Sequence, residues 1–393
     1  MQKLRKALIL SASCGEGHQQ ASLAIQEAMK RIDPAIEVRI EDYLKMVHPI
    51  VDAVARYCYI QSVRYAPPLY SLFYHRTKNL KSSSRIQKYL NQLGMNELKN
   101  YIQEFKPDIV ISTFPTPAGV MSVLKESGTI QVPSATVITD HAIHNQWIHP
   151  YTDMYFVGSH YVKQGLIHRG VSENKIHVTG IPIRSLFQEP VDQIRLLQKY
   201  RVNPELPTVL VMGGSFGVLK DIANICEELF TYATPIQVLV VCGRNEKLYH
   251  KINELAKHSS NFVQVFGFVQ EINELMAISD VMITKAGGLT ISESLAMELP
   301  MLLYRPIPGQ EQQNASFLVD SNVAVLAKTR HLVSEYMQIL LSTNTDHMLQ
   351  DMRENAKRIK KTDAADQIYK ILQKSIQAMS KEPALNLKLY KNM

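Results

Sequence analysis

Three groups of residues in this chain have the types and spacing to do chemistry. The first is Ala286-Gly287-Gly288-Leu289-Thr290, with Glu293 behind it. It follows a short apolar run, Val281 to Thr284, and opens a helix-like stretch near Leu289. A strand, a glycine turn and a helix start together present unpaired N–H groups and the positive end of a helix dipole, which suits a phosphate. Glycine lets that anion come close. A carboxylate one helical turn further on, Glu293, can accept hydrogen bonds from a ribose diol. The second group is the polar string Gln310, Glu311, Gln312, Gln313 and Asn314, which leaves the strand-like run Met301 to Tyr304 through a Pro/Gly loop. It sits on the carboxyl edge of the sheet, where open α/β folds bind ligands. Phosphate, ribose and a second polyol read in series outline a sugar nucleotide. The third group is Gly15-Glu16-Gly17-His18, which ends the first strand and puts a histidine at the start of a helix. Imidazole is the side chain whose ordinary pKa suits proton transfer near neutrality. A tight βαβ turn and a capping histidine are the plainer readings of these glycines, which are a weak motif alone.

The elements that must hold these groups alternate along the chain. Strand-like runs occur at 4–13, 37–41, 108–113, 134–139, 154–157 and 176–179, and again at 209–212, 238–241, 262–265, 281–284, 301–304 and 324–326. Helix-like stretches separate most of them, which predicts two doubly wound parallel sheets with a cleft between them. The expected organisation is a first domain over 1–180, a linker over 181–206 and a second domain over 207–360. A helix over 361–378 follows, placed to cross back to the first domain, and then a polar tail over 379–393. In the second domain Gly213-Gly214-Ser215-Phe216-Gly217 is another phosphate-compatible turn, and with 286–290 it could flank one diphosphate.

The 393 residues are 46% hydrophobic, enough for two cores. No apolar run reaches the roughly 18 to 20 residues of a spanning helix. The basic, apolar N-terminus is too short for a signal peptide and runs into a glycine loop. Four scattered cysteines, Cys14, Cys58, Cys226 and Cys242, read as reduced thiols. The net charge of +7 is uneven, since residues 1–190 carry 21 Lys and Arg against 15 Asp and Glu. Between Arg56 and Lys99 there are eight bases and one acid, interleaved with Tyr57, Tyr59, Tyr65, Tyr70, Phe73, Tyr74 and Tyr89. Bases with amphipathic aromatics on helices suit an anionic membrane surface. A solvated helix face is the competing reading, and a nucleic-acid patch a third, although no nucleic-acid module is recognisable. The loop Asp140-His141-Ala142-Ile143-His144-Asn145-Gln146-Trp147-Ile148-His149 holds three histidines at no zinc spacing, so it reads as a polar cleft wall with Trp147 as its apolar face.

Together and in order, these motifs resemble the diacylglycerol glycosyltransferases, which comprise the bacterial processive diacylglycerol glucosyltransferases and the plant monogalactosyldiacylglycerol synthases. They are more distantly similar to the peptidoglycan N-acetylglucosaminyltransferase. The resemblance is carried by Thr284 to Thr290 with Glu293, by Pro308-Gly309-Gln310-Glu311 with Asn314, and by Gly15-x-Gly17-His18. Thr139-Asp140…His144…Trp147…His149, Gly180-Ile181-Pro182-Ile183 and Gly213 to Gly217 match as well. It extends to about residue 375. It implies a GT-B fold and an inverting, metal-independent transferase with no cofactor. That enzyme would move a hexose from a UDP-hexose to the free hydroxyl of diacylglycerol, glucose being favoured and galactose open. A different acceptor, such as a lipid-linked peptidoglycan precursor, and a non-catalytic nucleotide-sugar binder are the alternatives.

By the same resemblance His18 is the catalytic base; apart from the resemblance, Asp140 is a candidate to orient it. Gly17 lies at the donor site, and Ser215 with Ala286, Gly287, Gly288, Leu289 and Thr290 hold the diphosphate. Phe268 flanks the uracil and Glu293 binds ribose. Gln310, Glu311 and Gln312 hold the sugar hydroxyls, with Asn314 supporting them. Asp140, His144 and Trp147 wall the acceptor side of the cleft. Arg56, Arg64, Tyr70, Phe73, Arg76, Lys78, Lys81 and Arg85 form the lipid-facing surface of a peripheral enzyme on the cytoplasmic face of the cell membrane.

Overall fold

The computed structural model describes residues 3–12, 16–48, 50, 53–54, 57, 61, 67–78, 84–214, 221–342 and 346–379. Two six-stranded parallel sheets organise them. The first contains β1 (Lys6–Ser11), β2 (Glu37–Asp42), β3 (Ile109–Ser112), β4 (Ser134–Val137), β5 (Met154–Val157) and β6 (Ile176–Val178), in the order β2-β1-β3-β4-β5-β6. The second contains β7 (Thr208–Met212), β8 (Gln237–Val241), β9 (Phe262–Phe266), β10 (Val281–Thr284), β11 (Met301–Tyr304) and β12 (Ala324–Ala327), in the order β12-β11-β10-β7-β8-β9. Each strand falls on a strand-like run expected from the sequence, within a residue or two at its ends. In the inner strands the runs are continuous rather than alternating because helices cover both faces of each sheet, whereas the edge strands β2 and β9 carry polar residues and stay partly exposed. Ala7 to Leu10 and Val209 to Val211 are accordingly fully buried.

Strand order places the cleft. In each sheet the winding direction reverses at one point, between β1 and β3 in the first and between β7 and β10 in the second. Loops at such a switch point diverge and leave a crevice at the carboxyl edge. The segments after β1, β3, β7 and β10 therefore face open space, and these are the segments that carry His18, Phe114, Gly214 and Gly287.

Four helices shape that edge: α1 (Glu16–Ile32), α2 (Pro67–Lys78), α3 (Gly288–Ala296) and α4 (Gln310–Asp320), while α5 (Ala364–Met379) packs elsewhere on the first sheet. The sequence reading has 310–314 as a polar string after a Pro/Gly loop, with no element assigned, and the structure makes it the first turn and more of α4. The string is too polar to show a helical apolar stripe because Glu311 and Asn314, both buried, take inward positions beside Ala315 and Leu318. The stretch expected as a linker is packed, with Ile181, Ile183, Phe187, Leu196 and Val202 joining the apolar core beneath the second sheet. α5 lies on the first domain. Its Ile368, Tyr369, Leu372 and Ile376 share a core with Ile25 and Met29 of α1. Gln373 accepts from the Leu4 N–H at 3.1 Å, and Asp366 pairs with Arg31.

Candidate active site

His18 sits in the first turn of α1, and that turn is pinned to the sheet. The Ser22 hydroxyl bonds the His18 carbonyl at 2.9 Å and the Thr113 hydroxyl at 2.8 Å. The imidazole is half-buried. Its Nδ1 lies 3.1 Å from the Thr139 hydroxyl, and its ring stands edge-on to Phe114 at 5.3 Å, with Trp147 at 6.2 Å. Loss of solvent in this aromatic box lowers its pKa to about 4, against a hydrogen bond to the Thr113 backbone that raises it. His18 is therefore a neutral imidazole at neutral pH, with one nitrogen oriented by a hydroxyl. The orienting group is Thr139 rather than Asp140, whose carboxylate is engaged elsewhere.

The facing wall is the start of α3. Among the described residues no acceptor meets the N–H groups of Gly288, Leu289 and Thr290, so the helix presents an open anion site. The adjacent glycines have different jobs. A Cβ on Gly287 would meet nothing within 4 Å, which leaves that face open to a ligand. A Cβ on Gly288 would fall 2.0 Å from the Thr139 carbonyl oxygen, so glycine is required there for the two domains to meet. Gly17 approaches from the other side, where a Cβ would lie 3.5 Å from Leu289 Cδ2. The first turns of α1 and α3 are thus in contact, and His18 is one residue away.

Glu293 is half-buried one turn into α3, and among the described residues no donor reaches its carboxylate. Burial pushes its pKa up to about 7, while Arg184 nearby pulls it down. A carboxylate held without donors at the cleft is suited to bind hydroxyls. Lys285, present in the sequence motif without a role, stands between the two glycine turns. Its Nζ pairs with Glu311 Oε1 at 2.7 Å, and its Cε would lie 3.1 Å from a Cβ on Gly214. The second Glu311 oxygen accepts from the Ile307 N–H at 3.0 Å. Phe268 is 45% exposed, with the Arg244 guanidinium 4.6 Å from its ring centre. Arg244 also reaches across the cleft to Glu16 Oε1 at 3.2 Å.

Asn314 does not face a ligand. It is fully buried, and its amide is spent on the seam between the domains. Its Nδ2 donates to Asp140 Oδ1 and to the Ala286 carbonyl, both at 2.9 Å, and its Oδ1 accepts from the His141 N–H at 2.7 Å. Burial raises the Asp140 pKa to about 6, partly offset by the Asn314 hydrogen bond. Gln313, which the sequence reading passed over, joins the same seam through Ile143 and Tyr74. His144 braces α2, with Nε2 3.2 Å from the Thr77 hydroxyl and Nδ1 accepting from the Gln146 N–H. His141 stacks on Phe317 at 4.1 Å, and His149 Nε2 meets the Gln146 carbonyl at 2.9 Å. The three histidines of the loop thus turn to three separate partners. Trp147 is buried with Ile138, Ile143, Tyr155 and Val157, and shows only its His18 side to the cleft.

Gln310 and Gln312 open α4 beside Glu311. Arg76 is exposed on α2 and Lys78 half-buried. Tyr70 and Phe73 lie on the same helix, and Arg85 opens a short helix, Arg85–Leu90. Ser215, Arg56, Arg64 and Lys81 lie outside the described residues.

Known proteins share both halves of this arrangement. Residues 18–183 match the family model described as monogalactosyldiacylglycerol (MGDG) synthase, and residues 208–368 match the glycosyltransferase family 28 C-terminal domain. The processive diacylglycerol beta-glucosyltransferase of Bacillus subtilis strain 168 is 32% identical over 376 residues, spanning 96% of this chain and 97% of the relative. That of Bacillus cytotoxicus is 34% identical over 392 residues, 98% of this chain and 99% of the relative. The chain belongs to the processive diacylglycerol beta-glucosyltransferase family. Solved structures extend the family's likeness in fold. The S. aureus MnaA–UDP complex superposes with a TM-score of 0.64 at 14% identity, covering 97% of this chain and 99% of that one. Acinetobacter baumannii MurG gives 0.62 at 14% identity, covering 94% and 99%. The family fold is accordingly GT-B, two parallel-sheet domains around a cleft, as the sequence motifs implied.

Proposed function

We propose that this protein is an inverting glycosyltransferase that moves glucose from UDP-glucose to the free hydroxyl of diacylglycerol. Family membership supports the activity. The observation that carries the mechanism is the contact of Gly17 with Leu289, which sets a neutral imidazole beside an open helix N-terminus. The diphosphate lies along the N–H groups of 288–290, over the open face of Gly287, with the Lys285 ammonium near the Gly214 turn. Glu293 takes the ribose hydroxyls, and Phe268 flanks the base. The start of α4 faces the hexose through Gln310 and Gln312, whereas Glu311, expected from the sequence to hold sugar hydroxyls, is buried and spends both oxygens on Lys285 and the Ile307 N–H.

In the reaction the acceptor oxygen forms a bond to the anomeric carbon as the bond to the diphosphate oxygen breaks. The acceptor proton passes to His18. Negative charge grows on the departing UDP, where fixed N–H dipoles and a lysine stabilise it with little reorganisation. The donor geometry uses this chain's own groups, with no metal or cofactor in any step. Thr139 orients the imidazole and supports the imidazolium that forms.

The acceptor reaches the cleft from the α2 side, with the protein held peripherally at the cytoplasmic face of the membrane. Among the described residues no helix is long and apolar enough to cross a bilayer. The described part of the basic, aromatic segment exposes Tyr57, Leu72 and Tyr89, apolar surface of the kind an interface would cover. The test is to incubate purified protein with each UDP-hexose and diacylglycerol vesicles and to weigh the lipids formed. A mass gain of one or more hexoses with UDP-glucose is the expected result. Transfer only to a lipid-linked peptidoglycan precursor, or none to any acceptor, would overturn the assignment.

A further inference from the structure

α2, on the acceptor side, touches the turn that opens α4, on the donor side. Gln313 bridges two points of the first domain. Its Nε2 donates to the Tyr74 hydroxyl at 3.0 Å, and its Oε1 accepts from the Ile143 N–H at 3.3 Å. The Tyr74 ring also covers Gly309. That glycine has φ +118°, a conformation side chains rarely adopt, and a Cβ there would fall 2.9 Å from a ring carbon. Behind Tyr74 the ring packs on His144 at 4.8 Å, and His144 meets Thr77, one turn further along α2. Tyr74 is 6% exposed, so its hydroxyl is shielded from water.

The second half of the loop between β11 and α4 is therefore held from both domains. Glu311 holds the Ile307 N–H from within, and Tyr74 holds Gly309 from the other domain. Gln310 and Glu311 follow directly. A displacement of α2 moves the Tyr74 ring, and the turn it covers has no slack to ignore that. We infer that Tyr74 and Gln313 are a positioning pair through which the acceptor-side helix sets the sugar-binding turn of the donor site. The pair touches neither the base nor the diphosphate. Its effect is confined to the hexose end of the donor, and through it acceptor engagement of α2 and hexose binding favour one another reciprocally.

This inference rests on the reading of α4 as the hexose wall, and the test separates the two. Tyr74→Phe keeps the ring on Gly309 and removes the oxygen that accepts from Gln313. Gln313→Leu keeps the volume and removes both bonds. Binding of UDP-glucose and of UDP to the full chain is measured calorimetrically. The loss of one buried hydrogen bond predicts about 3- to 10-fold weaker UDP-glucose binding for Tyr74→Phe. UDP, which lacks the hexose, binds as before. Because the two residues act through one bond, Tyr74→Phe added to Gln313→Leu weakens binding little beyond the Gln313→Leu variant alone. Equal losses for UDP and UDP-glucose would mark a merely structural contact and overturn the inference, as would no loss for either. A wild-type chain that binds UDP but is indifferent to UDP-glucose would instead sink the hexose reading, and this pair's role with it.

Discussion

Asn314 holds Asp140 across the domain seam, its amide Nδ2 2.9 Å from the carboxylate, while the same nitrogen holds the Ala286 carbonyl of the donor turn. One side chain thus ties the loop after β4, the turn before α3 and the helix α4. Replacing it with alanine leaves an N–H, a carbonyl and a carboxylate buried without their partner. Asn314→Ala is expected to destabilise the chain by about 2–4 kcal/mol, read as a lower urea midpoint. Asn314→Asp should be worse, because it faces a second carboxylate to Asp140 in a buried site. A milder effect for aspartate than for alanine would show that the amide's donors do not matter.

His18→Ala should cut turnover by roughly two to four orders of magnitude, the usual worth of a positioned base. Calorimetric UDP affinity should stay near the wild-type value, since the imidazole faces the acceptor. Thr139→Val removes only the orienting hydroxyl and should cost about tenfold. Full turnover in the alanine variant would remove His18 from the mechanism.

The strands were legible because a strand in a parallel sheet, covered on both faces, must be apolar throughout, and runs such as Val281 to Thr284 are. The turn from β10 into α3 was legible because a glycine pair after a short apolar run has a local signature. The seam was not. Tyr74 and Gln313 are 239 positions apart, and neither carries a mark of the other. Lys285 lies inside the run Thr284 to Thr290, yet a lone lysine after a strand has no periodicity or spacing to give it a role. The sequence also merged the work of Gly287 and Gly288 into one phosphate turn. Only the packing of Thr139 against the second glycine separates them.

That separation predicts opposite phenotypes. Gly287→Ala has room for its methyl group and an ordinary backbone angle, so Tm should hold while UDP affinity falls, because the methyl stands where the diphosphate approaches. Gly288→Ala drives a methyl into the Thr139 carbonyl and should force the domains apart. A drop of about a hundredfold in kcat/KM is expected, about 3 kcal/mol of lost transition-state assembly. Indistinguishable variants would mean that both glycines serve one purpose.

Acid should destabilise the folded chain. His18, His144 and His149 titrate at about 4 and His141 at about 3, each lowered chiefly by burial, against about 6.5 when unfolded. Below about pH 6.5 the unfolded chain binds protons that the folded chain refuses, so this contribution is lost as pH falls toward 4. Asp140 and Glu293, raised to about 6 and about 7 by burial, act oppositely, stabilising at low pH and losing that contribution as pH rises through those values. Four imidazoles against two carboxyls leave an uptake of about two protons on unfolding near pH 5. Tm of the ligand-free protein should therefore be lower at pH 5 than at pH 7, and a flat profile would contradict neutral buried imidazoles.

The α2 surface makes the last prediction. Leu72 is 50% exposed on a helix that also exposes Arg76, in a segment where bases outnumber acids eight to one. If this face meets lipid, the protein floats with vesicles rich in anionic lipid and less with neutral ones. Raising salt weakens the difference, because a Debye length shrinks from about 10 Å at 0.1 M to about 3 Å at 1 M. Arg76→Ala removes one base near the surface, about 1 kcal/mol, and should weaken anionic-vesicle binding about fivefold. Leu72→Ser should weaken binding to both vesicle types, since it removes apolar area and no charge. Retention by neither vesicle type would make the segment a solvated face, and the acceptor would then have to reach His18 without the protein's leaving water.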